Sequence, residues 1–147
     1  MTVTIARFKT TFASTLLFAM LLCAAASAQA QQKPEQVAQQ SSDAWLALVD
    51  SGKYAQSWDE ASQMFKSAVT KDQWLGALGQ VRTPQGKVLS RKLKSATYTK
   101  TLPGAPDGEY VVIQYDTNFE HKPGALETVT PMLEKDGKWR VSGYFIK

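Results

Sequence analysis

Thiols are almost absent from this chain: Cys23 is its only cysteine. It lies in an apolar leader behind Leu21 and Leu22, where an acylated lipoprotein cysteine needs a small residue before it. Loss of the leader removes Cys23, and the rest of the chain then has no disulfide, no thiolate nucleophile and no cysteine metal site. Such a domain must be held by its own core. Histidine is equally scarce. His121 stands alone, beside Lys122 and Pro123, and reads as a solvated turn residue rather than a catalytic base. A zinc site would therefore need mostly carboxylates, and none cluster at ligand spacing. No glycine-rich phosphate loop, Ser–His–Asp set or helical His-Glu motif occurs, and no cofactor is implied. A surplus of one charge is missing too. The 17 basic residues less Arg7 and Lys9 of the leader leave 15, against 13 acidic ones. So small an excess gives no case for a nucleic-acid or anionic-lipid surface.

What is present begins with an address. Arg7 and Lys9 form a basic region, residues 11–26 are apolar, and Ala26-Ser27-Ala28 and Ala28-Gln29-Ala30 are small-x-small cleavage sites. This pattern predicts a secretory signal peptide over residues 1–30. The apolar run is too short to span a bilayer, and no stop-transfer charges follow it. The expected location is the periplasm or the medium, with no membrane attachment after cleavage. Residues 31–147 are expected to form one domain, and their 117 residues suffice for a single core.

The spacing of apolar residues predicts three helices and then four strands. Val37, Ser41, Ala44, Trp45, Leu48 and Val49 form a helical stripe that Ser51-Gly52 ends. Residues 54–69 carry a second stripe: Tyr54, Trp58, Ala61, Met64, Phe65 and Ala68. Thr70-Lys71-Asp72-Gln73 is a capping-box pattern opening a third helix with Trp74, Leu75 and Leu78, closed by Pro84. An imperfectly alternating strand over about residues 87–102 follows. Leu89, Arg91 and Leu93 are expected on one side, and Val88, Lys92, Ala96 and Tyr98 on the other. Its lysines suit an edge. Residues 109–119, 126–133 and 139–146 read as an antiparallel meander. Asp136-Gly137 suits a two-residue hairpin turn, which would pair Lys135 with Lys138, Leu133 with Arg140, Met132 with Val141 and Glu127 with Ile146. Trp139 and Val141 would then share a face with Leu126, Thr128 and Phe145, while Glu127, Val129, Arg140 and Tyr144 share the other. Both faces are partly apolar, so one is expected against the helices and the other partly covered. Gly143 suggests a bulge or bend. The fold class is α+β, with three N-terminal helices on a curved four-stranded antiparallel sheet.

This order is similar to the cone of the nuclear transport factor 2-like superfamily, which shares its outline with cystatins. More specifically the chain resembles the bacterial secreted family called domain of unknown function 4019. The matching stretches are YAQSWDEAS (54–62), Gln73-Trp74, VRTPQGKVLSR (81–91), LPGAPDGEYVVIQYDTNF (102–119), ETVT (127–130) and DGKWRVSGYFIK (136–147). The resemblance implies no catalytic residues, and fold does not decide function here.

Candidate chemistry centres on Glu127, an acid inside a predicted strand. It is either half of an ion pair or a pocket acid. Arg140 is too far along the strand to be its partner in the expected register, whereas Arg82 or Arg91 could reach it. Similarly shaped isomerases use a pocket carboxylate with a tyrosine or acid opposite, which makes Glu127, Asp116, Tyr115 and Tyr144 candidates by type. Trp45, Trp58, Trp74 and Trp139 either pack the core or line a pocket with Tyr144 and Arg91 for a small apolar ligand. Three readings follow. One is a binding or protein-interaction module, with a homodimer through the outer sheet face as an option; another is an isomerase- or hydratase-type enzyme. A structural envelope protein is the third reading.

Overall fold

The structure, a computed structural model, describes residues 32–147. The expected signal peptide and Cys23 lie outside them. The described chain runs α1 (Pro34–Asp50), α2 (Tyr54–Asp59), α3 (Gln63–Ala68), α4 (Lys71–Val81), a 3-10 turn (Thr83–Gln85), then β1 (Val88–Thr99), β2 (Tyr110–Phe119), β3 (Ala125–Leu133) and β4 (Trp139–Ile146). The strands form one antiparallel meander in the order β1-β2-β3-β4. The class is α+β, with the helices packed on one sheet face. Among the described residues no helix is long and apolar enough to cross a membrane.

Helix α1 starts at Pro34, whose missing N–H costs nothing in the first turn, and touches all four strands. Its buried stripe is Ala38, Ser42, Trp45, Leu46 and Val49, rotated about one residue from the expected stripe. Gly52 ends the helix region with φ +74°, a conformation that glycine adopts without strain.

Four helices stand where three were expected, because residues 54–69 break in two. The cause is tertiary. The Ser62 N–H bonds to the Val141 carbonyl of β4 at 2.9 Å, and the Ser62 hydroxyl caps α3 by accepting from the Phe65 N–H. With Ala61 fully buried at this corner, Phe65 turns into the core. Helix α4 opens with the expected capping box: Thr70 accepts from Gln73, and the Gln73 side chain accepts from the Thr70 N–H. Trp74 and Leu78 are buried as expected, whereas Leu75 is exposed.

Three bulges reset the faces of the sheet. In β1, Leu89 and Lys94 are extra residues against β2. Val88, Arg91, Leu93, Ala96 and Tyr98 therefore lie opposite Phe119, Thr117, Tyr115, Ile113 and Val111, on the helix side; the expected division of this strand fails at each bulge. In β4 the expected register holds from Glu127–Ile146 to Thr130–Gly143 and then slips by one, leaving Ser142 unpaired and Pro131 opposite Val141. Proline has no N–H to give a ladder, and bulges are where sheets accept it. The slip carries Val141 and Trp139 onto the helix face with Glu127, Val129 and Tyr144, a correction to the expected faces. It also makes the turn a three-residue loop. Glu134, not Lys135, bonds to Lys138 at 2.9 Å, and Gly137 takes φ +79°.

The core lies between α1, α4 and the sheet. Trp74 sits 5.0 Å from Phe65, 5.9 Å from Trp45 and 6.4 Å from Tyr144, ring centre to ring centre. Both indole N–H groups find partners at Ser57: Trp45 donates to its carbonyl and Trp74 to its hydroxyl. Buried indoles need such acceptors.

Candidate functional site

The inner sheet face carries one polar row, to which each strand contributes one residue. Arg91 stands on β1, Thr117 on β2, Glu127 on β3 and Tyr144 on β4, and Glu127 is fully buried. Its Oε2 accepts from Arg91 Nε and from the Thr117 hydroxyl, both at 2.6 Å. Its Oε1 accepts from the Tyr144 hydroxyl at 2.6 Å and from Arg91 Nη2 at 3.2 Å. A carboxylate offers about four acceptor positions. All four are used, two on each oxygen.

The row continues into the helices. Asp50, in the last turn of α1, accepts from Arg91 Nη1 at 2.7 Å and Nη2 at 3.1 Å. An acid there opposes the helix dipole, and two arginines offset it, because Arg82 Nη2 also reaches Asp50 at 3.0 Å. Arg82 follows α4, donates to the Gly86 carbonyl at 2.6 Å and stacks 4.6 Å from the Phe119 ring centre. Burial alone would lower the basicity of Arg91. Its hydrogen bonds to Asp50 and Glu127 outweigh that and hold the guanidinium above its ordinary value. Burial and the Glu127 carboxylate push the Tyr144 hydroxyl well above the usual tyrosine range. Burial and a 2.6 Å bond to Asp43 do the same for Tyr115.

Beside this row an open cleft of about 370 Å³ runs between α1 and β1, lined by Gln39, Asp43, Asp50, Arg91, Leu93 and Tyr115 among others. Glu127 does not line it. Every acceptor position of Glu127 is filled, and its side chain has no exposed surface. The row does the work of a cross-brace, tying four strands to α1 and α4.

The other sequence candidates fall in different places. Asp116 points to the opposite face, is largely exposed and pairs with Lys94 at 3.1 Å, so it does not join Glu127. Trp45 and Trp74 are core residues. Trp58 is half-buried, donates to the Val69 carbonyl at 2.8 Å and lies under Lys66 and Lys71. Trp45 also borders a shallow cleft of about 390 Å³ beside Trp139. The tryptophans therefore do not share one pocket with Tyr144 and Arg91. A larger cleft, about 810 Å³, has Met64, Met132 and Leu133 among charged residues including Lys66, Glu134 and Arg140. Among the described residues no group of three or more His, Cys, Asp or Glu is placed to hold a metal.

Sequence reasoning missed Asp50, Asp43 and Thr117. Asp50 had a readable signal, an acid at the wrong end of a helix just before Ser51-Gly52. Thr117 and Asp43 had none, because only the cross-strand register and the angle of α1 bring them in.

A family model described as "Protein of unknown function (DUF4019)" matches residues 41–144. The chain belongs to this family. The match spans α1 from its middle through most of β4, so the DUF4019 region includes Asp50, Arg82, Arg91, Thr117, Glu127 and Tyr144. No curated protein and no solved structure matches the chain.

Proposed function

We propose that this DUF4019 protein is an exported, non-enzymatic binding module that engages a protein partner through its surface. The observation that carries this reading is the saturation of Glu127. Among the described residues Glu127 is the one fully buried acid; its two oxygens hold four donors, one of which, Tyr144, packs against Trp45 and Trp74. An isomerase- or hydratase-type site needs a carboxylate with room for a reacting proton. Export rests on the leader alone: Arg7 and Lys9, the apolar run and the small-x-small sites. The likeness to a nuclear transport factor 2-like cone belongs to the same reading, supported by bulges that bend β1 and β4.

Two measurements test it. The first is N-terminal sequencing of protein from the periplasmic fraction or medium, expected to begin after Ala28 or Ala30. An intact Met1 in cytosolic protein would overturn export. The second is a melting screen against small apolar ketones and enoyl esters, expected to leave the transition temperature unchanged. A rise that disappears in Glu127→Gln, with that variant still folded, would restore the enzyme.

A further inference from the structure

The sheet has an open side at β1, and its charge is unusual. From residue 73 to residue 106 the chain contains no Asp or Glu, but it contains Arg82, Lys87, Arg91, Lys92, Lys94 and Lys100. The two arginines are consumed by Asp50 and Glu127. The four lysines are exposed. Of these only Lys94 makes an ion pair among the described residues, with largely exposed Asp116. Exposed pairs of this kind are weak and exchange partners easily.

β1 has a single neighbour, β2. In an antiparallel ladder alternate residues then direct their N–H and C=O groups away from the sheet, and these are unpaired positions for a further strand. The bulges at Leu89 and Lys94 break the edge into short pieces, leaving residues 95–99 as its regular stretch, in unbroken register from Ser95–Gln114 to Thr99–Tyr110. Lys94 and Lys100 bracket that stretch, roughly 20 Å apart at strand rise. Leu93, 47% exposed, stands just before it and borders the cleft against α1. A second copy of the chain is a poor occupant, because antiparallel pairing of this edge with itself sets lysine near lysine, which is repulsive.

We propose that the β1 edge over residues 95–99 is a docking strand for an extended acidic peptide segment of another protein. The partner adds a fifth strand by backbone pairing. It carries acidic side chains at both ends, against Lys94 and Lys100, with β-branched residues between them. This deepens the binding-module reading and rests on it.

The test is titration of the protein with a labelled peptide that has Glu at both ends and alternating Val and Thr between, followed by fluorescence anisotropy and by amide-shift mapping. Binding is expected, with the largest shifts in β1. Lys94→Glu with Lys100→Glu should weaken it about tenfold or more, given the modest size of each exposed pair. The Arg versions should retain it, and the same peptide N-methylated at alternate residues should lose it. Both lysines are exposed and neither belongs to the core cluster, and circular dichroism is the check that each variant folds. No binding at millimolar peptide, binding indifferent to charge reversal or to N-methylation, or shifts centred on Met64 and Met132 would each overturn the docking strand. The last of these leaves the module reading standing. Failure of that reading would show instead as ligand-dependent turnover.

Discussion

Replacing Glu127 by Gln tests the physical claim most directly. The carboxylate holds four donors on two oxygens. A carboxamide keeps the shape but offers one oxygen, and it turns an N–H₂ group toward two of those donors. At least two of the four lose their acceptor, and the Arg91 guanidinium loses half of its countercharge inside the protein. Breaking a buried pair from one side costs about 3–5 kcal/mol. Asp50 still holds both Nη atoms of Arg91, so the lower end, about 3 kcal/mol, is expected. Against a total stability of about 5–15 kcal/mol this is a large share. For a domain of this size it corresponds to a fall in melting temperature of about 10–15 °C. Urea unfolding followed by circular dichroism reads it as a lower midpoint at unchanged slope. Asp116→Asn, on the exposed opposite face, is the control and should shift stability by no more than about 0.5 kcal/mol. A Glu127→Gln protein within about 1 kcal/mol of the parent would refute the cross-brace and return Glu127 to the pool of ligand groups.

Tyr144→Phe removes one donor from the same carboxylate and should cost about 1.5–3 kcal/mol. Combined with Thr117→Val in a double-mutant cycle, it should show clear non-additivity, and simple additivity would mean the two hydroxyls do not share an acceptor. The raised pKa values of Tyr115 and Tyr144 set an alkaline limit. Their neutral forms are favoured in the fold, so the associated stability is whole below the ordinary tyrosine pKa near 10 and is lost as pH rises above it. Ultraviolet titration should show two tyrosines ionising only with unfolding; ionisation of all five near pH 10 in folded protein would contradict this. Asp136, held by Arg140 and the Lys138 N–H, titrates at about 2. Its small contribution is present above the usual carboxylate range and fades as pH falls toward 2, which carboxyl NMR shifts will follow. Thr70→Ala should cost about 1 kcal/mol by opening the capping box, and an unchanged melting curve would remove the cap from the ledger of stabilising contacts.

The sequence by itself determined what is settled within a few neighbouring residues. Thr70 and Gln73 cap one helix because three positions separate a cap from its reciprocal partner. Ser51-Gly52 ends another because glycine accepts positive φ. Alternation over residues 109–119 and 139–146 marked β2 and β4 to within a residue, and the α+β class followed from helical spacing giving way to that alternation. Arg82 or Arg91 as the counter-charge of Glu127 was also within reach, since the predicted register had already placed Arg140 too far away. Gly143 marked the irregularity that falls beside it in β4, and the tertiary structure decided the others. The break between α2 and α3 exists because the Ser62 N–H bonds to β4, a strand roughly eighty positions later in the chain. The bulges at Leu89 and Lys94 put Leu93 on one face with Val88 and Ala96, and the bulge at Ser142 puts Val141 and Trp139 on one face with Glu127 and Tyr144. Strand register beyond a bulge depends on two strands at once and leaves no trace in either one's periodicity. The same holds for the cross-brace: Asp50, Arg91, Thr117, Glu127 and Tyr144 lie on α1 and four different strands, and their meeting is a property of how those elements pack rather than of any spacing along the chain.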